Sequence, residues 1–324
     1  MKKRRLGITG IEMTELGYGC TAQFGKDFLG RPGIPEEKAY SLVSAALDSG
    51  IGFFDTGFNY GYAEERLGRC LSAIFAEGNR KRDEIVIQTK GGEVLNQDGT
   101  YGAHDYSADW IKKSLEISLK RLQLDYVDLF ALHGARPEVL TDELMKLFED
   151  LKSQGVIRAY GVSGISDEFG RWICEHKCFD YVMMTYNYAE ARRNDLIRRL
   201  SANGIGVLSG GSLNRSLNTI RLIPKSRNDL WYLIRALGHY RKDVKRARQF
   251  DFVKNVEGMS PQQVSLAYIL QNEGVTSASF NTTSIEHLKA NVKAAGMTLP
   301  PELRNRIDKT GQQHGSGFDH FTAY

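Results

Sequence analysis

The feature that most constrains the fold of this chain is a regular alternation between short apolar segments and longer amphipathic ones. Residues 4–13 first alternate around Thr9-Gly10, which predicts a β-hairpin. Eight strand and helix pairs then follow, and the strand segments are nearly all apolar, as is typical of parallel strands covered by helices on both faces. These strands are predicted at residues 15–19, 51–54, 84–89, 126–132, 158–162, 181–185, 205–208 and 275–280. The pattern predicts a (β/α)8 TIM barrel.

The same pattern indicates one domain over residues 1–324, with a basic helical insertion at 213–260 and a final helix and tail after Pro300-Pro301. An open doubly wound sheet is the alternative way to arrange alternating strands and helices. Its dinucleotide-binding form requires GxGxxG between the first strand and the first helix. Gly17-Tyr18-Gly19 is followed by Phe24-Gly25 and a long loop, so that spacing is missing and the barrel is favoured.

Composition excludes several classes of protein. The 324 residues are 41% hydrophobic and 25% charged, and no apolar run is long enough to span a bilayer, so we expect a cytoplasmic protein with no membrane partner. A diffuse net charge of +4 does not predict nucleic-acid binding. Four scattered cysteines suit a reducing compartment. Cys174 and Cys178 flank His176, but the spacing offers no further ligands, so no metal site is predicted.

Three consecutive predicted strands end in polar residues. Asp55 follows Phe53-Phe54 with Tyr60 five residues later, Lys90 ends the third strand, and His133 ends the fourth. In a parallel barrel these ends share one rim, where catalytic groups collect. Each residue alone has an ordinary structural explanation, as a solvated lysine, a hydrogen-bonded histidine or a packed tyrosine. Together they predict an active site. Ser163, Asn187, Ser209 and Asn281 end further strands on the same rim.

The chemistry of this set suits protonation of a developing alkoxide. A lysine ammonium near a tyrosine hydroxyl favours the phenolate and so makes the phenol a better acid. Asp55 can pair with Lys90 and hold it in place, and His133 can hydrogen-bond and orient a carbonyl oxygen. The set contains no nucleophile, so a hydride has to come from a cofactor.

These residues carry a resemblance to a known family. Asp55-Thr56, Tyr60-Gly61, Glu65-Arg66-Leu67-Gly68, Lys90 and Leu132-His133 together resemble the aldo-keto reductase superfamily, over residues 4 to about 295. The resemblance implies a (β/α)8 barrel that binds an extended nicotinamide dinucleotide, with Asp55, Tyr60, Lys90 and His133 as the catalytic tetrad. The strand 181–187 and the loop 206–217 are more similar to the aldose and galactose dehydrogenase branch than to the aldose reductases.

The resemblance also implies a set of residues that bind the cofactor along the rim. These are Gly19, Cys20, Thr21 and Asp55 near the nicotinamide, Ser163 at its carboxamide, Ser212, Leu213, Asn214 and Ser216 at the pyrophosphate, and Asn281, Thr282, Thr283, His287 and Asn291 at the adenosine phosphate. Three positions depart from the family pattern. Gly164 replaces an asparagine, Met183 replaces a glutamine, and Ser209 or Gly210 replaces a stacking aromatic residue.

The family habit implies NADP(H) as the cofactor. Many relatives carry lysine and arginine where this chain has Asn281 and His287, so charge-assisted bonds to a ribose phosphate would be fewer. These two substitutions favour NAD(H) or looser selectivity. The expectation is NADP(H), with NAD(H) as the alternative.

The segment 213–260 has eleven lysines and arginines against four acidic residues. One interpretation is a solvated helical insertion that covers one side of the barrel. The other is a lid over a large or anionic substrate. The aromatic tail at 315–321 can reach across the rim, as the C-terminal loops of relatives do.

The predicted function is NAD(P)-dependent interconversion of a carbonyl, in an aldehyde, ketone or sugar, with an alcohol, and Tyr60 is the expected general acid and base. Two alternatives remain open. One is a sugar dehydrogenase that uses the tetrad in the oxidising direction. The other is a non-catalytic relative, similar to the β-subunits of potassium channels. A phosphate-handling isomerase would not call for the tyrosine, lysine and aspartate set. The sequence does not indicate the oligomeric state.

Overall fold

Eight parallel strands close into a barrel in the computed structural model of the chain. The structure describes residues 1–25, 33–78, 80–96, 101–213 and 248–312. Its strands are β1 Lys3–Arg5, β2 Glu12–Thr14, β3 Leu16–Gly19, β4 Phe53–Asp55, β5 Val86–Gly91, β6 Glu93–Leu95, β7 Tyr101–His104, β8 Val127–His133, β9 Ile157–Ser163, β10 Tyr181–Thr185, β11 Gly206–Gly210 and β12 Ser277–Phe280. Strands β3, β4, β5, β8, β9, β10, β11 and β12 form the barrel in chain order, and β12 pairs with β3 to close it. The predicted fold class is confirmed.

Helices surround the barrel. Within the described residues they are α1 Glu36–Asp48, α2 Ala63–Ala76, α3 Ala108–Leu122, α4 Asp142–Ser153, α5 Asp167–His176, α6 Asn194–Ala202, α7 Pro261–Leu270, α8 Ile285–Val292 and α9 Pro301–Gln312. Ser107, Thr141 and Ser166 cap α3, α4 and α5 through side-chain oxygens that accept backbone N–H groups. Ser260 and Gln263 add a reciprocal capping box at α7. None of the helices in these ranges is long and apolar enough to cross a membrane.

The barrel strands extend further at their carboxyl ends than predicted. The sequence prediction ends β4 at residue 54, β5 at 89 and β8 at 132, whereas Asp55, Lys90 and His133 are strand residues. Lys90 is in register with Ala131, and His133 is in register with Ser163. The backbone ladder therefore continues past the last apolar residue, and it places these polar side chains on rigid strands.

The segment 93–106, which is not among the predicted strands, contains an antiparallel hairpin of β6 and β7. The hairpin starts two residues after β5, and Glu93 is in register with His104. Its polar composition and two preceding glycines are those of a loop, which is why strand periodicity did not reveal it. The hairpin carries Glu93 to the barrel rim.

The N-terminal hairpin of β1 and β2 closes the floor of the barrel. Leu6, Ile11 and Met13 are 0–2% exposed and pack in one cluster with side chains from the barrel interior. The interior members of this cluster are Phe53, Val86, Leu129, Ala131, Ala159, Tyr181, Met183 and Leu208. The floor is therefore a packed apolar layer, and the opposite rim is left for chemistry.

Two predictions concern segments outside the described residues. Residues 214–247 hold most of the predicted helical insertion, and residues 313–324 hold the aromatic tail. The end of the insertion is described, and Asp251–Asn255 form a short 3-10 helix there.

Candidate active site

Asp55 and Lys90 form a buried ion pair at the carboxyl ends of β4 and β5. The Lys90 Nζ atom lies 2.5 Å from Asp55 Oδ1 and 2.7 Å from the carbonyl oxygen of Thr56, to which it also donates. Asp55 is 3% exposed and Lys90 is 1% exposed. The two groups serve as counter-charges for each other, because burial of an unpaired charge is costly.

Gln88 supports the pair from below. Its Nε2 atom donates to Asp55 Oδ1 at 2.7 Å and contacts the Met183 sulfur at 3.2 Å. The sequence prediction missed Gln88, although it precedes Lys90 by two residues and therefore lies on the same face of β5. Met183 replaces the family glutamine, and its side chain faces this buried amide.

Tyr60 lies beside the ion pair, on the turn that follows β4. The centre of its ring is 4.9 Å from Lys90 Nζ, and its ring meets the His133 imidazole edge to face at 5.9 Å between centres. The backbone folds back at this point because Tyr60 N–H donates to the Gly57 carbonyl and Gly61 adopts a φ of 65°. This tight turn brings the phenol over the ends of β4 and β5.

His133 is held from two sides at the end of β8. Its Nδ1 atom hydrogen-bonds the Glu93 carboxylate, and the Tyr106 hydroxyl donates to its backbone carbonyl oxygen at 2.5 Å. Glu93 lies in β6 and Tyr106 follows β7, so both supporting residues come from the hairpin segment. The structure thus brings Asp55, Tyr60, Lys90 and His133 together.

Glu93 is a buried carboxylate that the sequence analysis did not select. It is 1% exposed. Burial alone raises the pKa of this carboxyl, but attraction to His133 and the hydrogen bond between them outweigh burial and hold the pKa below its ordinary value. Burial lowers the pKa of His104, which stacks on Tyr106. The ionised carboxylate therefore has its main partner in His133.

The residues predicted near the nicotinamide line the seam where β12 meets β3. The Cys20 backbone N–H donates to the Asp55 carbonyl oxygen at 2.7 Å, and its side chain is fully buried. Asn281 Nδ2 donates to the Thr21 hydroxyl at 2.7 Å and ties the two strand ends together. Gly19 is in register with Asp55, so this loop adjoins the ion pair.

Two strand-end hydroxyls face the mouth of the barrel. Ser163 and Met183 are in register, and Thr185 lies on the same strand face as Met183. Within the described ranges the Thr185 hydroxyl is buried without a hydrogen-bond partner, and the Ser163 hydroxyl also has none. A bound amide would satisfy both groups, so this part of the site fits the nicotinamide carboxamide that the resemblance implies. Thr185 is a candidate contact that the sequence analysis missed.

The predicted pyrophosphate contacts are described only at Ser212 and Leu213. The Ser212 hydroxyl is hydrogen-bonded to Ser209, and the Ser212 carbonyl oxygen accepts a hydrogen bond from the Ser265 hydroxyl at 2.5 Å. Ser212 can therefore stabilise this loop through hydrogen bonds within the protein. Asn214 and Ser216 lie outside the described residues.

The predicted adenosine-phosphate residues surround the start of α8. Thr282 accepts from the Tyr18 hydroxyl through its carbonyl oxygen, and Ser284 caps the helix at the His287 backbone N–H. His287 is exposed and Asn291 is buried on this helix, while Thr283 is half-buried before it. A helix N-terminus suits a phosphate group, so the site fits the implied dinucleotide at this end as well.

His176 does not approach the two cysteines as a ligand set. It stacks on Trp172 at 3.8 Å, and its Nδ1 atom bonds the Trp172 carbonyl oxygen. Within the part of the chain that the structure describes, no group of three or more His, Cys, Asp or Glu side chains is arranged to hold a metal ion.

Comparison with known proteins relates the chain to one family. The model of the Aldo/keto reductase family matches residues 15–312. The oxidoreductase YqkF of Bacillus subtilis is 30% identical over 304 residues, which cover 91% of both chains. The L-galactose dehydrogenase of Arabidopsis thaliana is 27% identical, over 90% of this chain and 87% of the enzyme. The holo form of aldo-keto reductase AKR11C1 from Bacillus halodurans superposes with a TM-score of 0.76 at 28% identity, over 96% of both chains.

Proposed function

Because the chain belongs to the Aldo/keto reductase family, whose members are oxidoreductases that generally use NAD(P)H, we propose that it interconverts a carbonyl group and an alcohol with Tyr60 as general acid and base. One observation carries this proposal. The Tyr60 ring lies 4.9 Å from an ammonium group that a buried carboxylate holds in place, and the His133 imidazole stands at its edge. Such a phenol can release and recover a proton at the mouth of the barrel.

Each residue has a separate task in this proposal. A nicotinamide dinucleotide held along this rim would supply the hydride for reduction or accept it in oxidation. Tyr60 gives its proton to the carbonyl oxygen during reduction and takes it back during oxidation. Lys90 stabilises the phenolate that remains, and Asp55 fixes Lys90 in position. His133 hydrogen-bonds the same oxygen and so orients the carbonyl group.

Loss of the Tyr60 hydroxyl tests the proposal. We expect Tyr60→Phe to lower kcat by about 10²- to 10⁴-fold, since that is the usual contribution of a positioned acid or base. Dinucleotide binding, followed by protein fluorescence, should stay unchanged. Tyr62→Phe is the matched control, because Tyr62 is 49% exposed two residues away. Full turnover by Tyr60→Phe would exclude the proposed role. A native protein that binds the dinucleotide but turns over none of the carbonyl compounds or sugars tested would favour the non-catalytic alternative.

A sugar dehydrogenase is the second candidate function. It is favoured by the similarity to L-galactose dehydrogenase along nearly the whole chain. In that case Tyr60 acts as the base, and the substrate is the hydroxyl of a sugar. Initial rates with a panel of sugars and NAD(P), compared with aldehydes and NAD(P)H, separate the two directions.

For the cofactor we propose NADP(H), with a weaker preference over NAD(H) than a lysine or arginine at positions 281 and 287 would give. The side chains at positions 281 and 287 are neutral or weakly basic, and Asn281 already donates to Thr21. We therefore expect a modest ratio of kcat/KM for NADPH over NADH, and Asn281→Lys should increase it by adding a charge-assisted bond to the ribose phosphate. A native ratio below one would assign NAD(H) instead.

The four cysteines are free thiols, and burial raises the pKa of Cys70 and of Cys178 to about 11. Thiols of this kind suit a reducing compartment. We therefore place the protein in the cytoplasm as part of the proposal. Isolation with all four thiols reduced is the expected result, and a disulfide in the protein from cells would contradict it.

A further inference from the structure

Glu93 stands behind the imidazole of the catalytic set and outside the tetrad. We propose that Glu93 is a positioning residue whose carboxylate hydrogen-bonds His133 Nδ1. His133 Nε2 can then donate a hydrogen bond to the substrate oxygen only while the Glu93 and His133 side chains together carry two protons. This inference rests on the proposed function. It concerns how His133 is prepared, whereas the proposed function concerns the proton of Tyr60.

The geometry assigns one ring nitrogen to Glu93. The carboxylate meets Nδ1, and the Tyr106 hydroxyl fixes the His133 backbone from the same side. Within the described ranges Nε2 has no hydrogen-bond partner, so it is left for a ligand. The Trp110 indole N–H donates to the Glu93 carbonyl oxygen at 3.1 Å, which anchors the start of β6. The contact is therefore built by two elements, β8 and the hairpin, rather than by a mobile surface side chain.

A second imidazole could compete for the carboxylate. His104 lies opposite Glu93 in the hairpin, but it stacks on Tyr106, and burial lowers its pKa and favours its neutral form. Tyr60 meets the His133 ring edge to face, and Lys90, which pairs with Asp55, lies 4.9 Å from the centre of the Tyr60 ring. Glu93 is the carboxylate that contacts His133 directly.

Proton counting gives the consequence of this contact. With two protons, the pair is an imidazolium beside a carboxylate, and Nε2 carries a hydrogen that can be donated to a carbonyl oxygen. With one proton, that proton lies on Nδ1 facing the carboxylate, and Nε2 presents a lone pair. Reduction needs the donor, so carbonyl orientation by His133 is lost when the pair releases its second proton.

Ring-nitrogen NMR tests the assignment without turnover. In 15N-histidine protein at pH 7, we expect His133 Nδ1 to show the chemical shift of a protonated nitrogen, with the signal identified by its absence in His133→Asn. Glu93→Ala should move the Nδ1 signal towards the value of free imidazole. An unprotonated Nδ1 in the native protein would overturn the proposal, whatever the protein catalyses.

Kinetics test the consequence. We expect Glu93→Ala to lower kcat for carbonyl reduction by about 10²-fold, since a misplaced catalytic group has an effect of this size. The dinucleotide Kd should not change, because Glu93 is not among the residues that cradle it. In Glu93→Gln the amide can donate to Nδ1 and leave the hydrogen on Nε2. In the native protein we expect kcat/KM for reduction to fall as the pH rises and the pair loses its second proton. Glu93→Gln should keep most of kcat and should not show this fall.

The control is Glu149→Gln, which removes a carboxylate that accepts from the Tyr160 hydroxyl outside the barrel. It should leave kcat and the pH profile as in the native protein. Native kcat and an unchanged pH profile in both Glu93 variants would overturn the positioning role. Failure of the proposed function is a different result, because it requires full activity of Tyr60→Phe.

Discussion

In the proposed function, the ion pair of Asp55 and Lys90 supports the acidity of Tyr60 rather than the stability of the fold. Both side chains give up hydration when they are buried, and their attraction repays this only with good geometry and further hydrogen bonds. Gln88 and the Thr56 carbonyl supply those hydrogen bonds. The pair thus keeps an ammonium group beside the Tyr60 ring.

Removal of one partner should therefore cost more than removal of both. We expect Lys90→Met to lower the free energy of unfolding by about 3–5 kcal/mol, because it leaves Asp55 buried without a cation. The double variant Asp55→Asn with Lys90→Met should recover most of this loss, while turnover stays abolished in both. Urea unfolding measures the stability of each protein. Equal destabilisation in the single and double variants would show that the lysine side chain stabilises by packing and not by charge.

Glu93 should influence stability in acid. Its pKa lies below the ordinary value because of His133, so the folded state holds fewer protons there than the unfolded chain does. The stabilisation is complete above the ordinary carboxyl pKa of about 4.3 and is lost as the pH falls through the lowered folded value. Urea unfolding of Glu93→Gln from pH 6 downwards should show a shallower loss of stability below about pH 4.5 than the native protein does. Parallel curves for the two proteins would contradict this.

Of the four residues in the proposed catalytic set, Asp55, Lys90 and His133 follow successive predicted strands. Parallel strands present their carboxyl ends on one rim, so the sequence pattern predicts that these three lie close together. Gln88 could have been found from its position two residues before Lys90. Glu93 could not, because its approach to His133 depends on how the chain turns at Gly92. A turn set by tertiary packing leaves no periodic signal in the sequence.

At the level of elements, the β6–β7 hairpin is the support on which the imidazole depends. Gly92 joins it to β5 with a φ of 114°, and a Cβ there would lie 2.4 Å from the Tyr106 ring. The Tyr106 hydroxyl in turn holds the His133 carbonyl oxygen. The hairpin therefore links a glycine turn to the position of His133, a residue of the proposed catalytic set.

Gly92→Ala should damage both stability and activity. The new methyl group has to displace Tyr106, so we expect a lower kcat together with a lower unfolding free energy. Gly155→Ala is the matched control, since Gly155 has a φ of 73° with nothing within 4 Å of an added Cβ. It should cost about 1–2 kcal/mol, the penalty of a left-handed alanine, without any change in kcat. Native kcat in Gly92→Ala would show that Tyr106 does not position His133.

The helices are the elements that the sequence predicts best. Side-chain oxygens at Ser107, Thr141 and Ser166 accept the first free N–H groups, and this is a local interaction that short sequence patterns encode. Strand ends and the hairpin depend on neighbours distant in the chain, such as the pairing of His133 with Ser163. The strand ends therefore differ from the prediction, because a short sequence pattern does not contain these distant neighbours.

At the scale of the whole molecule, stability and chemistry lie at opposite ends of the barrel. The floor is filled by the N-terminal hairpin, whose apolar side chains pack against the barrel interior. Arg4 ties the hairpin to the end of α7, because its guanidinium donates to the Leu270 and Val275 carbonyl oxygens at 2.6 and 2.8 Å. The proposed catalytic set is on the rim, so a change in the floor can alter stability without touching any of its residues.

Leu6→Ala tests this separation. Leu6 is fully buried and packs so closely that a Cβ on Gly206 would lie 2.3 Å from its Cδ1 atom. Its truncation should lower the unfolding free energy by about 2–5 kcal/mol, as is usual for a leucine cavity in a core. Ile8→Ala is the control, because Ile8 is 84% exposed in the same hairpin and should change stability by no more than about 0.5 kcal/mol. Below the unfolding transition, kcat and KM of Leu6→Ala should equal those of the native protein. A fall in kcat while the protein is fully folded would show that the floor and the rim are mechanically coupled, and that the barrel does not isolate the site from its packing.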